Sequence, residues 1–204
     1  MNADNKVTIA AAGAIPPLVQ LLGSASPAYV QANAAGALLR LAANADSRVT
    51  IAAAGAIPPL VQLLGSASPA YVQENAAAAL RNLGANNDNT VTIAAAGAIP
   101  PLVQLVGSSS PAYAQENAAA ALRTVAANDD NKVTIAAAGA IPPLVQLLGS
   151  ASPAVQQAAS GALTALADSN DENRAAISIA RASAGLMQEM QGLGIDNGPA
   201  DVPT

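Results

Sequence analysis

Asn33, Asn75 and Asn117 stand 42 residues apart in the sequence, and Arg81 and Arg123 keep the same interval, with Arg40 one residue out of phase. Asn82 follows Arg81 directly. An amide offers both a donor and an acceptor, which suits the backbone of an extended peptide. A guanidinium suits carboxylates. Asn33, Arg40, Asn75, Arg81, Asn82, Asn117 and Arg123 are therefore the candidate binding residues, and their chemistry is non-covalent recognition. The Asn series breaks at Ala158. A solvated helix face in a chain of near-copies would show the same regular spacing, so spacing alone does not select between contact and solvation.

The same sequence excludes most catalytic chemistry. It has no His and no Cys, which removes the imidazole base, the thiolate nucleophile, the zinc–thiolate site and the disulfide. Asp4, Asp46, Asp88, Asp130 and Asp171 recur once per unit and do not cluster. They are expected at helix starts, complementing the macrodipole and capping free N–H groups. No set of nucleophile, base and orienting group can be assembled. The expectation is no enzyme, no cofactor and no metal.

The elements that must position these residues are repeats. Val7 to Gln31 recurs unchanged at Val49 to Gln73, and again at Val91 to Gln115 with differences only at Val106, Ser109 and Ala114. A fourth copy starts at Val133; it lacks the Tyr that the others carry as Tyr29, Tyr71 and Tyr113, and regains its phase by Ile177. Each unit reads as three helices. The first spans Lys6 to Ala12 and stops at Gly13, which suits a left-handed C′ position. The second begins near Ile15 with Pro16 and Pro17, tolerated because first-turn N–H groups have no partner in the helix, and ends at Gly23. The third begins with Ser26 as N-cap and Pro27 behind it, and runs to about Ala43. Ile15, Leu18, Leu21 and Leu22 on the second helix, and Val30, Leu38 and Leu41 on the third, have no partners within their own unit. Stacking the next unit supplies them.

Composition agrees. Apolar residues make up 52% of the 204, aromatics only 1%, so the apolar content is Ala, Leu, Val and Ile, a helix-packing set. A net charge of −5 argues against nucleic-acid binding, which needs a basic face. Apolar stretches such as Val7 to Leu22 are interrupted by Thr8, Gly13, a Pro pair and Gln20, short of the ~20 apolar residues a span requires, so no membrane partner is expected. The N-terminal residues carry no signal pattern.

A 42-residue unit with the core Gly13-Ala14-Ile15-Pro16-Pro17-Leu18-Val19-Gln20-Leu21-Leu22, copied at 55–64, 97–106 and 139–148, resembles the armadillo repeat. The resemblance implies an all-α fold: an α-solenoid of three-helix repeats wound as a right-handed superhelix, with a concave groove lined by the third helices that takes extended peptides or partner proteins. Members similar to importin-α carry a groove Trp and, four residues later, an Asn. The Trp position here holds Gly36, Ala78, Ala120 and Gly161; the Asn position holds Arg40, Asn82, Thr124 and Ala165. Only Asn82 fits, and the small residues are expected to leave a shallow, wide floor.

The expected organisation is one solenoid over residues 1–190, with units at about 3–43, 44–85, 86–127 and 128–168, a degenerate cap at 169–190, and a disordered tail at 191–204. No polar cap helix precedes the first unit, which leaves that end open to weak self-association. The leading functional reading is a scaffold that binds a protein or an acidic peptide, in the cytoplasm or nucleus. The alternatives are a substrate-recognition array such as that of armadillo-type ubiquitin ligases, and a designed or consensus repeat protein without a natural ligand.

Overall fold

The structure, a computed structural model, describes residues 3–23, 25–107 and 110–192. Among them are thirteen helices and no strand. The first unit holds α1 (Ala3–Ala11), α2 (Ile15–Gln20) and α3 (Ala28–Leu41). The second holds α4 (Ala45–Ala53), α5 (Ile57–Gln62) and α6 (Ala70–Leu83). The third holds α7 (Asn87–Ala95), α8 (Ile99–Val106) and α9 (Ala112–Val125). The fourth holds α10 (Asp129–Ala137), α11 (Ile141–Leu147) and α12 (Pro153–Ala167), and α13 (Asp171–Gly192) closes the array. The third helices stack in order, α3 on α6, α6 on α9, α9 on α12. One continuous apolar cluster runs from Ile15 to Ile177, so no unit owns its core, as in a solenoid.

The turn between first and second helices depends on glycine. Gly13, Gly55, Gly97 and Gly139 have φ of 79 to 81°. A Cβ at any of the four would meet nothing within 4 Å, so the left-handed backbone, not space, excludes other residues. There the chain folds back on itself, with Gly13 N–H donating to Ala10 O at 3.0 Å and Ala14 N–H to Ile9 O at 3.4 Å.

Two capping expectations need correction. The side-chain caps of α4, α7, α10 and α13 are Asn residues. Asn44, Asn86 and Asn128 accept from the N–H of Ser47, Asn89 and Asn131 at 3.0, 3.2 and 3.1 Å, and Asn170 accepts from Asn173 N–H at 2.9 Å. A capping residue must keep an extended backbone. Asn44 does, with φ −94° and ψ 138°, whereas Asp46, Asp88 and Asp130 are already helical in the first turn and act on the dipole. The side chain of Asp4 lies outside the described residues. The other correction concerns Ser26. The position before α3 is Pro27, with ψ 149° and no side-chain cap. The Pro27 carbonyl accepts from Val30 and Gln31 N–H at 2.9 and 3.1 Å. Gln31 Nε2 then donates to the carbonyls of Gly23 (2.9 Å) and Leu22 (3.3 Å), tying the third helix to the end of the second. Gln73 and Gln115 repeat this tie on Gly65 and Gly107, each at 2.8 Å. Only in the fourth unit does a serine cap: Ser152 accepts from Val155 N–H, with Pro153 opening α12.

Buried amides bind successive units together. Asn131 Nδ2 donates to Val125 O at 3.0 Å and to Thr90 O at 3.3 Å. Asn173 does the same for Leu166 O (3.0 Å) and Lys132 O (3.4 Å). Lys132, 5% exposed, donates to Asp129 Oδ1 at 2.7 Å and Asp168 O at 2.9 Å.

The ends differ from the middle. Ile9 and Leu21 are 37% and 41% exposed, although Ile51 is at 0% and Leu63 at 5% in the identical stretch one unit later. The second copy is covered by the preceding unit, and no described unit stands before the first. At the other end, α13 packs on α11 and along α12 as one unbroken helix, because the glycine turn of the earlier units is not there. The tail expected at 191–204 lies outside the described residues from 193 onward.

Candidate functional site

The candidate residues lie on the stacked third helices. On α3, Asn33 and Arg40 are exposed, and neither forms a hydrogen bond or ion pair with a described residue. On α6, Asn75 Nδ2 donates to Tyr71 O at 2.9 Å, its own preceding turn. Asn117 on α9 does likewise to Tyr113 O at 3.0 Å. Arg81 is half-buried, and its Nη1 donates to Asn117 Oδ1 at 3.1 Å, from α6 to α9. Asn82 Nδ2 donates to Leu39 O at 3.0 Å, from α6 back to α3. Arg123 on α9 is exposed and has no hydrogen bond or ion pair among the described residues. The structure therefore brings Arg81 together with Asn117, while Arg40 and Arg123 stand free.

The expectation of an open floor is corrected. Ala78 and Ala120 are only 5% and 8% exposed, covered by neighbouring helices. The two glycines are seats for side chains of adjacent units. A Cβ at Gly36 would come within 3.3 Å of Asn75 Oδ1, and one at Gly161 within 3.0 Å of Arg123 Cδ. Dropping the bulky side chain lets a neighbouring repeat's polar side chain lie against the helix backbone: Asn75 of the next unit over Gly36, Arg123 of the preceding unit over Gly161.

Sequence reasoning passed over Glu74 and Glu116. They sit on α6 and α9 seven residues before Arg81 and Arg123, two turns back on the same face. The face thus carries carboxylates toward the helix starts and guanidiniums toward the helix ends. The seven-residue spacing from each Glu to its Arg is the sequence signal for them. Tyr29, Tyr71 and Tyr113 are 64%, 48% and 67% exposed at the start of their helices. Among the described residues no group of three His, Cys, Asp or Glu is placed to hold a metal. No single helix among them is long and apolar enough to cross a membrane.

A row of stacked third helices presenting amides and guanidiniums is the surface of a helical-repeat scaffold. The chain belongs to the Armadillo/beta-catenin-like repeat family, whose sequence model matches residues 2–43, 44–85, 86–127 and 128–168. Among solved structures, a computationally designed armadillo repeat protein for modular peptide recognition is 35% identical, with a TM-score of 0.79, covering 96% of this chain and 80% of its own. A designed armadillo repeat protein in complex with the peptide (KR)4 is 33% identical, with a TM-score of 0.80, covering 92% and 78%. An engineered protein is 32% identical with a TM-score of 0.83, covering 98% of this chain and 47% of its own. No curated protein sequence matches the chain.

Proposed function

We propose that the face built by α3, α6, α9 and α12 is a scaffold surface for an extended acidic peptide or an acidic segment of a partner protein. The observation that carries this reading is that Arg40 and Arg123, on stacked helices, have no partner among the described residues. An exposed guanidinium with no carboxylate to answer it is available to a ligand. The similar designed protein holds a peptide of Lys and Arg; here the free guanidiniums of Arg40 and Arg123 favour carboxylates, while Glu74 and Glu116 lie toward the other end of the same helices. Packed helices lie ~8–10 Å apart and an extended chain advances ~3.3 Å per residue, so about two to three ligand residues pass each repeat. One exposed charge pair is worth at most ~1 kcal/mol, so affinity comes from several in register.

The test is fluorescence anisotropy with matched Glu-rich and Lys-rich peptides at two salt concentrations. The Glu-rich peptide binds more tightly and loses affinity with salt, because exposed pairs are screened beyond ~10 Å at 0.1 M. Tighter binding of the Lys-rich peptide, or indifference to salt, defeats the reading.

A second reading concerns the first unit. The exposure of Ile9 and Leu21, whose counterparts are buried, supports weak self-association through that end. An absence of nucleic-acid partners fits the acidic net charge, and a non-catalytic role fits the missing His and Cys; a cytoplasmic or nuclear location is proposed with them. A recognition array within a larger protein and a designed repeat without a natural ligand fit the same repeats. The recognition array parts from the scaffold reading on whether a catalytic domain is encoded upstream of Met1, the designed repeat on whether any partner survives a pull-down.

A further inference from the structure

The row of third helices ends at α12, and the chemistry of the last step differs from the one before it. Between α6 and α9, Arg81 is held by the amide of Asn117. The equivalent position on α12 is Ala158, which has no acceptor, so Arg123 reaches over α12 with its guanidinium unbound. Gly161 gives it room to do so, with Arg123 Nη1 3.3 Å and Cδ 3.0 Å from where a Cβ would stand. Among the described residues no further third helix follows α12. α13 packs on α11 and along α12, leaving an open cavity of about 1050 Å³ with Arg123, Arg174 and Arg181 in its lining. Its floor is apolar, with Leu163 and Ile177.

The three arginines are not equivalent. Arg174 is occupied, donating to Ala167 O at 2.9 Å and paired with Asp171. Arg123 and Arg181 are exposed, and neither makes a hydrogen bond or ion pair with a described residue. The one carboxylate in the lining, Asp168, lies 4.0 Å from the Lys132 ammonium. Two free guanidiniums over an apolar floor form a site for carboxylates carried on a partly apolar chain. A small inorganic anion would leave the floor unused.

We infer that the cavity between α12 and α13 is the anchoring site of an acidic peptide segment, held by Arg123 from α9 and Arg181 from α13. This rests on the reading of the third-helix face as peptide-binding and fixes where along that face the ligand is gripped. The interior arginine, Arg81, is committed to Asn117. Arg40, at the far end, has no second free guanidinium beside it among the described residues, as Arg48 donates to Ala42 O. The anchor therefore lies at the C-terminal end of the row.

The experiment measures anisotropy of a fluorescein-labelled Glu/Leu peptide on the full chain and on Arg123→Gln, Arg181→Gln, the double variant and Arg40→Gln. All three positions are exposed and unpaired, so the variants stay folded, with circular dichroism melts as the check. Each cavity variant weakens binding about fivefold and the double variant more, while Arg40→Gln, a single guanidinium elsewhere on the face, weakens it about twofold. Loss at Arg40→Gln with none at Arg181→Gln overturns the anchor but leaves the peptide-binding face standing. No binding by the unmodified chain overturns both. Equal displacement by inorganic phosphate and by unlabelled peptide at the same concentration shows a general anion site and also overturns the anchor.

Discussion

Arg81 and Asn117 share a hydrogen bond of 3.1 Å between α6 and α9, two residues that the sequence separates by 36 positions and the repeat brings side by side. A solvated arginine would be replaceable at a change under ~0.5 kcal/mol. This one donates to a half-buried amide, and Arg81→Ala should cost about 1 kcal/mol. The pair should show a coupling of about 0.5–1.5 kcal/mol in a double-mutant cycle with Asn117→Ala. Arg40→Ala, with no partner among the described residues, should change stability by less than ~0.5 kcal/mol. Strict additivity of the Arg81 and Asn117 changes in urea unfolding would remove the inter-helix link from the account.

The identical stretches of the first two units offer a controlled comparison. Leu63 is 5% exposed and Leu21 41%, in the same local sequence. Leu63→Ala should cost ~2–4 kcal/mol, and Leu80→Ala, at 0% exposure, ~2–5 kcal/mol. Leu21→Ala should cost less than ~1 kcal/mol, since much of the side chain is already in water. Equal losses for Leu21 and Leu63 in parallel melts would mean that the first unit's open face is covered in solution.

Much of this was legible before the structure. The 42-residue period, the glycine stop at Gly13 and the Pro pair opening the second helix place the helices, because φ and hydrogen-bond constraints act locally. The stripe Val72, Ala76, Leu80 and Leu83 is fully buried as its spacing implies. What stayed hidden depends on neighbouring units. Nothing within one repeat says that Gln31 turns back to Gly23 instead of leaving Ser26 to cap. Nothing says that Arg81 meets an amide from the next helix while Arg123 meets none. Asp and Asn are both good N-caps, and whether the Asp46 series or Asn44 and its copies cap is decided by which residue keeps an extended backbone. Identical repeats hide the differences at the ends, where the same residues lack a neighbour.

Asn131 tests the buried ties between units. Its side-chain amide serves Val125 O within its own connection and Thr90 O of the preceding unit. Asn131→Ala leaves two carbonyls without that donor, and should cost ~1–3 kcal/mol. Ser47 occupies the equivalent position in the second unit, where no such tie is made, and Ser47→Ala should stay within ~1 kcal/mol. Hydrogen exchange after Asn131→Ala should show faster opening of α10 through α13 relative to α4 through α6, because a repeat array opens by units at its weakest interface. A uniform increase along the whole chain would instead point to a single cooperative fold with no local joint at Asn131.

The open face of the first unit sets the last expectation. Ile9 and Leu21 expose apolar surface that in the second unit is covered by the preceding helices. Covering it again releases water from apolar area at about 25 cal/mol per Å², an advantage offset by the loss of translational and rotational freedom on association. The patch is small, so self-association should be weak and should depend on concentration. Sedimentation velocity at low and high protein concentration should show a rise in apparent mass. The double variant Ile9→Asn, Leu21→Asn should abolish that rise without lowering the melting temperature, as both side chains are already part-exposed in the single chain. Ile51→Asn, at a position with 0% exposure, serves as the control that unfolds. A chain that stays at one mass across the concentration range, with or without the two substitutions, removes this end as an interface; a rise that survives the substitutions moves the interface elsewhere on the solenoid.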